Sequence, residues 1–416
     1  MEIAGLKDFK NISPRLIARL IGQKKSTNYF KKIKANEKDE FEKNGWEIVP
    51  SRHKKSIKVM KSKPHNIAFE DRIWALFASM GFEYLNEDQK YKIEYQPGLK
   101  KQIDVIAADK EAILVIECKS AEIPKKVSYQ KDINEIIGIK EKLRSVITRT
   151  FPGKAKVAFM FATNNSILSE NDRKRLEEAK IFHFNQDDFE YYEQITEHIG
   201  SAAKYQLFGK LFRGQKIPEL KNRVPAIKGK MASGHTFYSF SIEPEFLLKI
   251  GFILHRTKTN KETALAYQRL VKKARLNKIA KYIDGGGYFP NSIIINIITK
   301  GDKELQFDEG KKIKHDSYTK YGVLHLPQIY RGAFIIDGQH RLYGYSKTKS
   351  KSHHTIPVVA FHNLPEDEQA HIFIDINQTQ KSIPANLLAS IMADFNWGST
   401  NERAALGAIT ESRIIE

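Results

Sequence analysis

Between residues 67 and 184 the apolar residues change their spacing repeatedly, and this alternation narrows the available folds more than any other feature of the chain. Phe69, Ile73, Trp74, Leu76, Phe77 and Met80 recur at helical intervals, with Gly81 placed to end the helix. Residues 103–107 and 112–119 read as two strands joined by a tight turn at Ala108-Asp109-Lys110-Glu111. A helical pattern over 127–148 follows, then a β-branched and aromatic run over 156–162. Ser169 is positioned to cap a charged helix over 170–180, and residues 181–184 read as the next strand. The order helix, strand, strand, helix, strand, helix, strand predicts an α/β (α+β) domain built on a mixed sheet.

The chain has 416 residues, for which two or three domains are expected. Residues 1–65 read as a basic helical arm, with the apolar stretch Leu16-Ile17-Ala18-Arg19-Leu20-Ile21 and repeated lysine pairs. Residues 66–199 hold the α/β pattern. A linker is expected over 200–234, marked by Gly209, Gly214, Pro218, Pro225, Gly229 and Gly234. A second domain, 235–416, shows a helix over 262–282, the run Gly285-Gly286-Gly287, strands over 292–298, 332–336 and 356–361, and a helix over 366–376.

Composition removes several classes. At 41% hydrophobic and 11% aromatic, the chain is rich enough in apolar side chains to exclude a mainly disordered protein. The single cysteine, Cys118, excludes an intrachain disulfide framework. No apolar run reaches the roughly 18–20 residues needed to cross a bilayer, and residues 1–10 lack the apolar core of a secretory signal. A cytoplasmic protein without a membrane partner is expected. The net charge is +20; it collects as +10 over residues 1–65 and +13 over 200–290, around a segment of −3 over 66–199. Two basic blocks flanking a slightly acidic one point to a polyanion, and DNA is the expected partner. The plainer alternative is a solvated, lysine-rich surface.

The first chemical constellation lies on the two predicted strands. Side chains alternate along a strand, so Glu117 and Lys119 share a face while Leu114, Ile116 and Cys118 line the other. Asp104 sits on the preceding strand, where it is placed to meet Glu117. Two converging carboxylates form a hard-oxygen site suited to Mg²⁺ or Mn²⁺, and a neighbouring lysine orients or deprotonates a metal-bound water. Taken alone, Glu-x-Lys is common and reads as an ordinary ion pair. In context, Gln102-Ile103-Asp104-Val105 and Val115-Ile116-Glu117-Cys118-Lys119, with the order of elements over 66–195, resemble the PD-(D/E)xK restriction-endonuclease-like superfamily. That resemblance implies Asp104 and Glu117 as metal ligands, Lys119 as the water-activating residue, Glu70 as an auxiliary ligand and Gln130 as a residue near the site. Glu70 is equally readable as a carboxylate favoured by a helix N-terminus.

The second constellation is Asp337-Gly338-Gln339-His340-Arg341, at a predicted strand-to-helix turn. Gly338 permits the turn, and the helix-start amides with Arg341 suit a phosphate; alternatively Asp337 caps the helix and pairs with Arg341. The pentapeptide resembles the DGQHR-domain family, which includes the B components of DNA sulfur-modification systems and is similar to ParB/sulfiredoxin-like folds. Tyr267-Gln268-Arg269, Phe289-Pro290-Asn291-Ser292, Ile356-Pro357-Val358-Val359 and Phe373-Ile374-Asp375-Ile376-Asn377-Gln378 extend the resemblance over residues 235–395. It implies nucleotide or DNA-phosphate binding by Asp337, Gly338, Gln339, His340 and Arg341, with Gln268 and Arg269 as partners, Asn377 as an auxiliary residue, and ATP or another nucleoside triphosphate as a cofactor. Relatives commonly continue past the point corresponding to Glu416, so a shortened or split product is expected.

These readings together predict an Mg²⁺-dependent DNA endonuclease of a prokaryotic modification or phage-defence system, controlled by the DGQHR domain. The alternatives are a non-cleaving DNA-binding regulator, and an NTPase carrying a silent nuclease fold. The oligomeric state is left open, a homo-oligomer included.

Overall fold

The computed structural model describes residues 9–11, 14–50, 57–86, 90–151, 155–255, 270–299, 305–310 and 318–379. The chain divides into two units, Met1–Glu190 and Tyr191–Glu416.

The first unit opens with β1 (Phe9–Asn11), α1 (Pro14–Lys25), β2 (Asn28–Ile33), α2 (Lys38–Lys43), β3 (Glu47–Val49) and β4 (Ile57–Ser62). These are more than a helical arm: β2, β4 and β3 form a three-stranded antiparallel sheet. The prediction failed because the alternation in β2 is masked by exposed lysines. There follow α3 (His65–Ser79), β5 (Tyr84–Asn86), β6 (Lys92–Gln96), β7 (Leu99–Gln102), β8 (Val105–Ala108), β9 (Ala112–Val127), α4 (Gln130–Thr150), β10 (Lys156–Leu168), α5 (Glu170–Glu178), β11 (Ile181–Phe184) and the start of α6 (Gln186–Ile199), which continues into the second unit. The main sheet runs β1-β5-β8-β9-β10-β11. β8 and β9 pair antiparallel, while β9, β10 and β11 pair parallel, so the sheet is mixed as expected.

The two faces of β9 are set by its alternation. Ile113 and Val115 join Phe159 and Phe161 in a core closed by Ile133, Ile136, Leu143 and Ile147 of α4. Leu114, Ile116 and Cys118 are buried on the opposite face, and α3 packs against β8 and β9. In α3, Ile73, Trp74 and Phe77 are at most 1% exposed, and burying side chains of this kind contributes roughly 1.5–3 kcal/mol each. The Ser169 hydroxyl accepts from Asp172 N at 3.1 Å, which is the N-cap read from the sequence. One strand boundary was misjudged: β9 does not end at Lys119 but continues to Val127 beside β10, through a register break opposite Asn165.

The second unit contains α7 (Ala203–Leu211), β12 (Arg223–Lys230), β13 (Thr236–Ile242), α8 (Pro244–Ile250), β14 (Gly251–Phe252), α9 (Lys273–Asp284), β15 (Ile293–Ile297), β16 (Phe307–Glu309), β17 (Lys320–His325), β18 (Ala333–Asp337), α10 (Gln339–Tyr345), β19 (Ile356–His362) and α11 (Glu366–Thr379). Its sheet runs β14-β18-β15-β19-β13-β12-β17-β16. Most neighbours are antiparallel, with parallel pairs at β14–β18 and β15–β19. The expected linker is a correction: residues 203–211 form α7, and β12 lies inside the sheet despite Pro225 and Gly229. Turn-forming residues there report local shape, whereas pairing with β13 and β17 decides the structure. The helix expected over 262–282 begins only at Lys273, after an extended Lys272 at its N-cap, and ends at Asp284; residues 256–269 lie outside the described residues.

Candidate functional sites

Asp104 stands immediately before β8, and the register Val105↔Ile116 carries it to the level of Glu117. Asn86, at 1% exposure, holds this end of the sheet. Its amide donates to Asp104 O at 3.0 Å and its carbonyl accepts from Ile106 N at 3.1 Å. One oxygen of the Asp104 carboxylate accepts from Cys118 N at 2.7 Å. The expected meeting of Asp104 with the Glu117-x-Lys119 strand is therefore present, anchored to the backbone between the two.

Glu117 lies within an ion-pair net. Lys119 Nζ is 3.1 Å from Glu117 Oε1 and 2.8 Å from Asp132 Oδ1. Lys101 Nζ is 3.9 Å from Glu117 Oε2 and 2.9 Å from Glu135 Oε1. The Glu117 side chain is 11% exposed. Burial, then the charge of Glu117, pushes the Asp104 carboxyl up to about 6, against the pull of the Cys118 amide. Burial, then Asp104, Asp71 and Glu117, raises Glu70 to about 7. Burial alone would lower the Lys119 ammonium, but its bonds to Asp132 and Glu117 override it, and the net shift is upward. A lysine so held stays protonated, so its positive charge, not its basicity, is what it offers. Burial raises the Cys118 thiol, in keeping with a core residue.

Among the described residues, no group of three or more histidine, cysteine, aspartate or glutamate side chains is placed to hold a metal. Glu70, expected as an auxiliary ligand, does not complete such a group with Asp104 and Glu117. Gln130 is the exposed first residue of α4. Lys101, Asp132 and Glu135 were missed. Asp132 and Glu135 follow one another at helical spacing on α4, a signal that in principle marks one face; Lys101 carried none.

In the second unit β18 ends at Asp337 and α10 begins at Gln339, with Gly338 between them at φ +92°. A Cβ on Gly338 would lie 2.6 Å from Ile293 Cδ1. Gly338→Ala is expected to destabilise the second unit by at least about 1–3 kcal/mol, from backbone strain alone. Chemical denaturation checks this, and an unchanged midpoint would contradict it.

The remaining motif residues face several ways. Arg341 Nη2 donates to Asp337 Oδ2 at 2.7 Å and Nη1 to Asn291 O at 2.7 Å. The pairing alternative read from sequence is thus formed, although Asp337 does not cap the helix. Gln339 is buried: its Oε1 is 3.3 Å from Nε2 of the fully buried His255, whose Nδ1 is 2.9 Å from the Tyr191 hydroxyl. Gln339 Oε1 only accepts, so His255 donates through Nε2 and accepts at Nδ1, as a neutral imidazole. His340 is half-buried, and burial, then Arg275, His255, Arg341 and Lys272, depresses it to about 3. Gln268 and Arg269 lie outside the described residues. Asn377 falls within α11, its side chain outside what is described.

These histidines give a pH dependence of definite sign. Burial lowers His255 and His183 to about 4, and His340 stands at about 3, against an ordinary 6.5. Between those values the unfolded chain binds more protons than the folded one, so their contribution is complete above pH 6.5 and lost as pH falls. The raised carboxyls of Glu70 and Asp104 act in the opposite sense. A His340→Asn variant is expected to lose less stability than the wild type between pH 6.5 and 4 in denaturant titrations. Parallel losses would contradict the assignment.

Comparison with known proteins places these sites in context. Residues 224–416 match the family model DndB, described as DNA-sulfur modification-associated. The later part of the chain is thus related to B-type proteins of DNA modification, and the match begins in β12, before the expected domain start. No curated protein matches the chain. A solved structure, protein VC1899 from Vibrio cholerae, is 9% identical with a TM-score of 0.25, covering 45% of this chain and 57% of that one. No helix among the described residues is long and apolar enough to cross a membrane.

Proposed function

We propose that the chain is a divalent-metal-dependent DNA endonuclease acting in the cytoplasm, within a DNA-modification or phage-defence system. The observation that carries this reading is the meeting of Asp104 with Glu117 and Lys119 across the β8–β9 pair. Two carboxylates, completed by waters and substrate phosphate, are a donor set that Mg²⁺ or Mn²⁺ accepts. The fit is also electrostatic: burial, then the charge of Glu117, raises Asp104, and a cation would offset both by stabilising the carboxylate form. A bound metal supplies charge neutralisation and an acidified water. Asp104 and Glu117 would hold it, the Cys118 amide fixes Asp104, and protonated Lys119 would offer a positive charge to a phosphate bound there. The second unit binds nucleotide, ATP or another triphosphate, or DNA phosphate, and controls the cut; Lys272, Arg275 and Arg341 around His340 supply the positive charge.

A second reading is a non-cleaving DNA-binding regulator. It is favoured by one observation: Asp132 and Glu117 already engage Lys119. Plasmid nicking in Mn²⁺ separates the two. Nicking by the wild type that EDTA and Lys119→Ala both suppress supports the endonuclease; equal nicking by wild type and variant overturns the site. Salt-sensitive DNA binding without nicking favours the regulator.

A further inference from the structure

The three-stranded sheet of β2, β4 and β3 has two faces, each partly exposed: Tyr29 and Ile48, 38% and 37% exposed, lie on one, and Phe30 lies on the other. Strand alternation puts Lys31, Ile33 and Val59 on the first, where Ile33 and Val59 are at most 5% exposed and Lys31 lies over the rings of Phe41 and Trp46. Phe30, Lys32, Lys58 and Met60 share the second. There Phe30 is 46% exposed, with Lys58 Nζ 4.2 Å from its ring centroid.

Lys32 stands directly opposite Lys58 across the strand pair. Like charges in that position destabilise a sheet, and among the described residues neither lysine makes an ion pair. The carboxylate on this face, Glu47, stands opposite Met60 instead. An anion seated between Lys32 and Lys58 removes the repulsion. One position along the same face, Phe30 offers an aromatic surface to a flat apolar group. Phosphate next to an exposed base face is the chemistry of an unpaired nucleic-acid strand; a duplex hides its base faces by stacking.

We propose that this face is a platform for single-stranded DNA, Phe30 stacking on a base while Lys32 and Lys58 hold the adjoining phosphate. The proposal rests on DNA being the partner of the chain, but not on cleavage.

The test is fluorescence anisotropy of a labelled oligothymidine with the full chain, carried out on a Lys119→Ala background so that cleavage does not intrude. Phe30→Ala is expected to weaken binding about tenfold, the scale of one lost stacking contact. Phe30→Trp should preserve affinity, whereas Phe30→Leu, which keeps apolar bulk without a ring, should behave as Phe30→Ala. Lys32→Gln and Lys58→Gln should each flatten the dependence of log K on log salt by about 0.7, the value for one phosphate on a single strand. Wild-type affinity in Phe30→Leu, or an unchanged salt slope in both glutamine variants, overturns the platform. A duplex bound more tightly than the single strand by every Phe30 variant also overturns it. If wild-type protein fails to nick plasmid while the Phe30 series still orders affinity as stated, the endonuclease reading falls and the platform stands.

Discussion

Lys119→Ala is expected to lower Mn²⁺-dependent plasmid nicking by about 10²–10³-fold, the scale of removing one preorganised charge from a reacting centre. The side chain is 25% exposed and fixed at both ends of its reach, 3.1 Å from Glu117 and 2.8 Å from Asp132. To meet a phosphate bound through a metal at Asp104 and Glu117 it would have to loosen one of these ion pairs, so the charge is close by but shared. Asp132→Asn is the informative companion. It removes one partner of Lys119 but touches neither proposed ligand, so nicking should fall far less than in Lys119→Ala. Equal losses in both variants would mean that Lys119 acts only by holding α4 to β9.

Asp71→Ala is expected to destabilise the first unit by up to about 3–5 kcal/mol, because it strips the buried counter-charge from two partly buried lysines. Asp71 lies on α3, with Lys24 Nζ at 2.7 Å on Oδ1 and Lys63 Nζ at 2.8 Å on Oδ2. The Lys63 side chain is 3% exposed. Its ammonium also donates to Gln23 O and Lys24 O at 3.1 and 3.3 Å, so all three protons are used and two carbonyls at the end of α1 gain a partner. A triple replacement, Asp71→Leu with Lys24→Met and Lys63→Met, should recover most of the loss, since well-packed apolar residues often match a buried ion network. Urea unfolding measures both. An unchanged midpoint in Asp71→Ala would show the lysines reaching solvent when the aspartate is gone.

Much of the fold was legible locally. The strand over 181–184 coincides with β11, the Ser169 cap is formed, and α3, β8, β9, α4, β10, α5 and β11 follow in the predicted order, with β5, β6 and β7 between α3 and β8 unforeseen. What escaped was pairing over distance. β2 reads as polar because four of its six residues are exposed, and β12 reads as linker because its proline and glycines are locally turn-like. β2 is a strand through its pairing with β4, and β12 through both its hairpin partner β13 and the distant β17.

The same division holds at the DGQHR turn. Gly338 was readable as a position needing conformational freedom, and φ +92° bears that out. That Gln339 points to His255 was not readable, since the two lie 84 residues apart.

For Asp104, Glu117 and Lys119, covalent geometry decided one part. A period of two puts Glu117 and Lys119 on one face whatever surrounds them, and a short turn brings the preceding strand alongside. Their electrostatic state was decided elsewhere. Lys101, Asp132 and Glu135 come from β7 and α4, and only chain closure sets their charges against Glu117 and Lys119. Alternation along a strand is a property of bonds and is written in sequence order; the field at a buried carboxylate sums over neighbours in space, and sequence order does not contain those distances.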